Sequence, residues 1–174
     1  AGLVLQAVYE WAVMLNPYLQ WAIVLAVGLG IIADHGGTRR IGLVVGAVTL
    51  FFIVAPLASN WLNQRLIWLS FVNLIAAVPL LVHPVTSRQQ GIAASFLGLG
   101  VVHCIFAVLS IADPMAVTAN WLASRSVDAV QAGLLIWWSW PNARERLSSL
   151  YHQGLARMFH GGLSEVSRTS ATPD

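Results

Sequence analysis

The sequence contains no lysine, and its nine basic residues are all arginine. Schiff-base chemistry and a lysine nucleophile are therefore excluded. The chain has one cysteine, Cys104, which excludes an intrachain disulfide, a CxxC redox pair and a multi-cysteine metal site. Because Cys104 lies inside an apolar run, we interpret it as a packing residue.

Charged residues are also scarce. They make up 9% of the 174 residues, against 57% hydrophobic residues, whereas a soluble domain carries about 25% charged residues. The mean hydropathy is +0.72. So few charges cannot cover a water-facing surface, and the composition therefore predicts an integral membrane protein.

Long apolar segments separated by short polar ones predict an all-α, polytopic bundle of about five transmembrane spans. Most tryptophans fall near the ends of these segments, where an indole ring combines an apolar body with an N–H that needs a partner. The predicted spans cover residues 18–33, 41–58, 66–82, 91–112 and 125–140.

An interfacial helix is predicted before the first span, over residues 2–15. Its apolar residues recur at helical spacing, but crossing a bilayer takes about 20 residues. Asn16-Pro17 is expected to end this helix. Asp113-Pro114 is typical of a helix start and predicts a short surface helix, after which Ser124 is expected to cap the fifth span.

The C-terminal segment is predicted to leave the membrane. Residues 1–141 then form the bundle, and residues 142–174 form a cytoplasmic amphipathic helix and a flexible tail, with Gly161-Gly162 ending the helix. Basic residues lie outside the apolar stripe of this helix, which suits the headgroup layer of an anionic leaflet. These membrane-surface residues are Arg144, Arg146 and Arg157.

The arginines also orient the bundle. Five spans place seven arginines on one side, in the first and third loops and the tail, and leave only Arg65 and Arg125 on the other. Because insertion favours arginine in the cytoplasm, we expect the N-terminus outside and the C-terminus inside. Basic residues supplied by arginine alone are typical of GC-rich coding, so the expected location is a bacterial inner membrane.

Three polar residues within the fourth and fifth spans are candidate functional groups. His103 lies in mid-span, where an imidazole can ligate a haem or metal, relay protons or bond another helix. Asp128 lies one turn into the fifth span, and Arg125 is expected to pair with it. Gln131 follows on the same face, and this polar strip can line an ion path or contact a neighbouring subunit.

Other residues are candidates for helix packing. Asn73, in the middle of the third span, is expected to hydrogen-bond across helices. Gly42-x-x-x-Gly46 and Ala94-x-x-x-Gly98 are small-xxx-small patterns that allow close contact between helix backbones, within the chain or with a partner.

Catalytic motifs of soluble enzymes are missing from the sequence, including the P-loop, H-E-x-x-H and G-x-S-x-G patterns. Ser95 and Ser110 are each about two helical turns from His103, beyond hydrogen-bond reach. We therefore expect no enzymatic activity. The sequence contains no basic segment interleaved with aromatic residues, so we do not expect the protein to bind nucleic acids.

The leading hypothesis is a non-catalytic accessory or structural subunit of a larger bacterial membrane complex, because the loops are short and the tail suits docking. Size and tail also resemble those of phage holins, so a small pore-forming or transporter protein is one alternative. A haem-, pigment- or lipid-binding protein that uses His103 is another, with lipid the favoured ligand. Expected partners are the lipid bilayer and other membrane subunits or a second copy of the chain.

Overall fold

A computed structural model describes residues 2–58, 65–82, 84–113 and 115–169, and describes side chains within 3–52, 66–82, 84–113 and 115–154. The prediction of an all-α fold is confirmed, since these residues form five helices and no strand. The helices are α1 (Gly2–Ala33), α2 (Thr38–Ala58), α3 (Arg65–Leu81), α4 (Ser87–Leu109) and α5 (Met115–Thr169).

Two of the described helices are long and apolar enough to cross a membrane. They are Leu3–Ala33 in α1 and Ser87–Leu109 in α4, and a shorter apolar helix covers Leu66–Leu81 in α3. A bilayer core about 30 Å thick requires roughly 20 apolar helical residues. These two helices indicate association with a membrane.

Helices α1 and α5 run side by side in the same direction. At one end the rings of Tyr9 and Trp121 meet edge to face, with centroids 5.2 Å apart. At the other end Leu29 and Ala33 pack with Ala143. The other extensive contact joins α3 to α4, and α2 packs mainly against α1.

The predicted helix break at Asn16-Pro17 is wrong. Helix α1 runs without interruption from Gly2 to Ala33, with Pro17 in its interior. A proline removes one backbone hydrogen bond, but α1 packs against α5 on both sides of this position. The predicted N-terminal interfacial helix is therefore the first part of α1, not a separate element.

The predicted helix start at Ser124 is also wrong. Its hydroxyl donates to the Asn120 carbonyl oxygen at 2.9 Å, inside the continuous helix α5. The start is set instead by Asp113, whose Oδ1 accepts a hydrogen bond from the Met115 N–H at 2.8 Å. The expected surface helix and fifth span are thus one helix.

Helix α5 also continues through Pro141 and past Gly161-Gly162, where the amphipathic helix was expected to end. A glycine inside a helix costs about 1 kcal/mol relative to alanine, but it ends the helix only where its backbone turns left-handed.

Helix α4 begins earlier than the predicted span at residue 91. Thr86 Oγ1 accepts from the Gln89 N–H at 3.3 Å, and Gln89 Oε1 accepts from the Thr86 N–H at 2.8 Å. This reciprocal capping box satisfies two of the amides that a helix start leaves free. It converts residues 87–90, expected to be a loop, into the first turn of the helix.

The buried core fills the end of the bundle next to the loop between α1 and α2. It is made of branched aliphatic side chains and several alanines, and alanine allows the backbones to approach closely. The core residues are Ile23, Ala26, Ile41, Val45, Ala76, Ala77, Leu80, Ile92, Ala93, Phe96, Ala132 and Leu135.

Glycines permit the closest helix contacts. A Cβ at Gly42 would lie 3.1 Å from the Val27 carbonyl oxygen, and one at Gly46 would lie 3.1 Å from Val27 Cγ1, so this pattern packs α2 against α1. Helix α4 instead uses Gly100, where a Cβ would lie 2.9 Å from Leu74 of α3. Gly98 has nothing within 4 Å of such a Cβ, so it makes no close packing contact with any side chain or backbone that the structure describes.

Candidate functional site in the bundle interior

A cavity of about 500 Å³ lies between the five helices, in the half of the bundle away from the packed core. Ile23, Val45 and Phe96 belong both to the cavity lining and to the core cluster. They therefore form the floor that separates the two halves. The volume falls within the range of about 300–1,000 Å³ that is usual for small-molecule sites.

Polar side chains contributed by α1, α2, α3, α4 and α5 converge on this cavity. Each lies well within its helix, and the charged pair comes from α5 alone. The polar lining residues are Asn16, Gln20, Thr49, Asn73, His103, Asn120, Ser124, Arg125, Asp128 and Gln131.

Asp128 and Arg125 form an ion pair on the wall of the cavity. Arg125 Nη1 lies 3.1 Å from Asp128 Oδ2, and the two side chains are 30% and 25% exposed. The guanidinium also lies over the Trp121 ring, 6.0 Å from its centroid. This pairing is the one that the spacing of three residues predicts, and it reduces the cost of placing two charges among apolar helices.

Two buried polar atoms of cavity residues have no hydrogen-bond partner among the described residues. They are the Nε–H donor of Arg125 and the Oδ1 acceptor of Asn16. Buried polar atoms are nearly always hydrogen-bonded.

His103 is held by a hydrogen bond to α5. Its Nδ1 lies 2.7 Å from Asn120 Oδ1, and the side chain is 2% exposed. With Oδ1 as the acceptor, Nδ1 carries the proton and Nε2 is left as an acceptor in the neutral ring.

The remaining polar residues link or line the helices. Gln131 Nε2 donates to Ser95 Oγ at 2.6 Å, which joins α5 to α4. Asn73 Nδ2 donates to the Leu69 carbonyl oxygen of its own helix at 2.7 Å. Asn73 was expected to bond across helices, but among the described residues a hydrogen bond from α3 to another helix is made by Ser70, which donates to the Gly100 carbonyl oxygen of α4.

The structure thus brings together His103, Asp128 and Gln131, the candidate functional groups of the sequence, with Asn73, which the sequence predicts to be a packing residue. It supports no metal site, because the described residues contain no group of three or more His, Cys, Asp or Glu that could hold an ion.

Sequence reasoning missed several cavity residues, among them Asn16, Gln20, Asn120 and Ser124. The signal is their spacing: Asn16 and Gln20 are four residues apart, and so are Asn120 and Ser124. Residues at this spacing lie on one helix face. The predicted helix breaks hid both pairs.

A second polar region occupies the opposite end of the bundle, next to the core. Asp34 Oδ2 lies 3.7 Å from Arg39 Nη1 and 3.9 Å from Arg146 Nη1. Arg40 Nη1 donates to the Val82 carbonyl oxygen at 2.6 Å, and Arg88 lies 5.6 Å from the centroid of the Trp138 ring. The loops and the α5 segment that carry most arginines therefore meet at one end.

The predicted membrane-surface residues lie on α5 at this end and after it, and Arg146 is the one that contacts Asp34. Arg144 and Arg146 are exposed, and the side chain of Arg157 lies outside the described residues.

Comparison with protein-family models, curated proteins and solved structures finds no match to this chain.

Proposed function

We propose that the chain is a small transporter or pore that crosses the bilayer five times and moves a small monovalent ion through the polar cavity. The N-terminus lies outside, the arginine-rich end faces the cytoplasm and the cavity opens toward the outside. The packed core acts as the barrier between the cavity and the cytoplasm.

Five crossings are supported by the outer surface of the bundle. Each helix exposes large apolar side chains: Leu25 is 54% exposed, Leu50 61%, Ile75 67%, Val108 68% and Trp137 78%. Soluble proteins rarely expose contiguous apolar patches of this extent, whereas lipid tails favour them. Arginines gathered at one end fit the preference for basic residues in the cytoplasm.

The observation that carries the proposal is the convergence of charged and polar side chains on one cavity. A charged residue at mid-membrane costs about 2.5–3.5 kcal/mol on insertion scales. The core of the other half is an apolar cluster, and the polar residues buried around it, such as Thr38, Gln89 and Ser139, are uncharged. Polar groups kept in the cavity half despite this cost are typical of a substrate or ion pathway.

Proteoliposomes test this proposal. The purified protein is reconstituted with the pH dye pyranine inside, and a potassium diffusion potential drives proton uptake; potassium and chloride flux are measured in parallel. We expect flux above that of empty liposomes for at least one of the three ions, and we expect Asp128→Asn to abolish it.

Asp113→Asn is the matched control, because it removes an exposed carboxylate that does not line the cavity. Asparagine caps a helix about as well as aspartate, so this variant should retain the flux. No flux of any of the three ions in the parent protein, or equal flux in Asp128→Asn, contradicts the proposal.

An accessory subunit of a membrane complex is the second candidate, favoured by the length of α5. Its 55 residues span about 82 Å at 1.5 Å per residue. The helix continues past Ala143, the last residue buried against α1, and exposes Leu147, Leu150 and Tyr151. Native mass spectrometry after purification in mild detergent tests this candidate, and a monodisperse monomer with no other subunit contradicts it.

A further inference from the structure

A pocket of about 380 Å³ lies at the arginine-rich end, separate from the cavity and between the start of α2 and the start of α4. The side of the pocket next to α2 is lined by Gly37, Arg39 and Arg40, and the side next to α4 is lined by Thr86 and Gln89. Gly37 adopts a left-handed φ of +81°, and a Cβ there would lie 2.6 Å from Gln89 Cδ. Only glycine lets the two segments approach so closely.

Positive charge dominates the surroundings of this pocket. Asp34 is the acidic residue of its lining, and two guanidinium groups, those of Arg39 and Arg146, already lie within 4 Å of this carboxylate. Arg40 is anchored by its bond to the Val82 carbonyl oxygen. The net positive charge of the pocket favours binding of an anion. The partial positive charge at the N-termini of α2 and α4 adds to this preference.

The pocket continues into an apolar stripe along α2. Leu43 lines the pocket one turn after Arg39 and is 53% exposed, and Leu50, two turns further, is 61% exposed. Residues at these spacings lie on one face of a helix. A ligand with a phosphate at Arg39 would place an attached hydrocarbon chain along Leu43 and Leu50.

We propose that this pocket binds the phosphate headgroup of an anionic phospholipid, with an acyl chain lying along α2. A basic pocket between helices at the cytoplasmic surface is a common form of lipid site. The site is independent of transport through the cavity. Its chemistry also admits a free phosphate, and the lipid is favoured because the apolar stripe adjoins the arginines.

Native mass spectrometry of the full chain in detergent, titrated with dioleoyl-phosphatidylglycerol or dioleoyl-phosphatidylcholine, tests the proposal. We expect the anionic lipid to bind at least fivefold more tightly, since each arginine near the surface contributes about a fivefold factor. Arg39→Gln and Arg40→Gln should each weaken its binding by about fivefold. Arg65→Gln removes the arginine that begins α3, at the other end of the bundle, and should change binding less than about twofold.

Inorganic phosphate is titrated in the same way as a second ligand. It should neither bind detectably nor displace the lipid. Equal affinity for the two lipids, phosphate binding as tight as lipid binding, or equal weakening by Arg39→Gln and Arg65→Gln overturns the proposal. If Arg40→Gln fails to fold, the comparison of Arg39→Gln with Arg65→Gln still decides, because Arg39 is exposed and its replacement leaves the bond from Arg40 to Val82 in place.

Discussion

Replacing Gly100 with alanine should destabilise the bundle, whereas replacing Gly98 should not. The two glycines lie on the same helix, so alanine improves helix propensity at both by up to about 1 kcal/mol. At Gly100 the new methyl group would lie 2.9 Å from Leu74 and 3.4 Å from the Ser70 carbonyl oxygen. At Gly98 it would meet nothing within 4 Å.

The propensity terms cancel in the comparison, which leaves the strain at the contact between α3 and α4. Overpacking of this kind costs about 1–3 kcal/mol. The free energy of unfolding of Gly100→Ala should therefore lie about 1–3 kcal/mol below that of Gly98→Ala.

Circular dichroism during titration with sodium dodecyl sulfate, in mixed detergent micelles, measures the difference between the two variants. Equal unfolding midpoints for both would refute the packing of α3 against α4 through Gly100.

Two further hydrogen-bond contacts can be tested by the same unfolding titration. Replacing Gln131 with leucine or Ser95 with alanine should each lower the free energy of unfolding by about 0.6–1.7 kcal/mol. The double variant should lose less than the sum of the two, because the two side chains share one hydrogen bond. Additive losses would argue against that bond. Thr86→Ala should lower the free energy of unfolding by about 1 kcal/mol, because the capping box is lost. Thr86→Ser keeps the hydroxyl group, so its free energy of unfolding should stay close to that of the parent protein. Equal losses in the two variants would argue against the cap.

Hydropathy predicts the position of most helices well, because the long apolar segments of the sequence are helical in the structure. The ends of α2 and α3 fall within three residues of the predicted spans. Local signals at Asn16-Pro17 and Ser124 failed because the contact between α1 and α5 keeps both helices continuous across them. Tertiary packing of this kind involves residues about 110 positions apart, which no local pattern records.

The candidate site was predictable only in part. Asp128 and His103 are conspicuous in any apolar segment, because a charged or titratable group there is costly. Their neighbours Asn16 and Asn120 become recognisable only once their helices are continuous. The choice of Gly100 over Gly98 depends on which face of α4 meets α3, and small-residue spacing alone does not identify that face.

The central claim is that a polar cavity open to one side lies within a membrane-spanning bundle. Accessibility of single cysteines tests it directly, because Cys104 is the chain's only cysteine and serine can replace it. In that background, Ser124→Cys places a thiol on the cavity wall and Ala132→Cys places one in the packed core. A membrane-impermeant thiol reagent should label Ser124→Cys from the outside only and Ala132→Cys from neither side. Equal labelling of the two positions, or no labelling of Ser124→Cys from either side, would contradict the account.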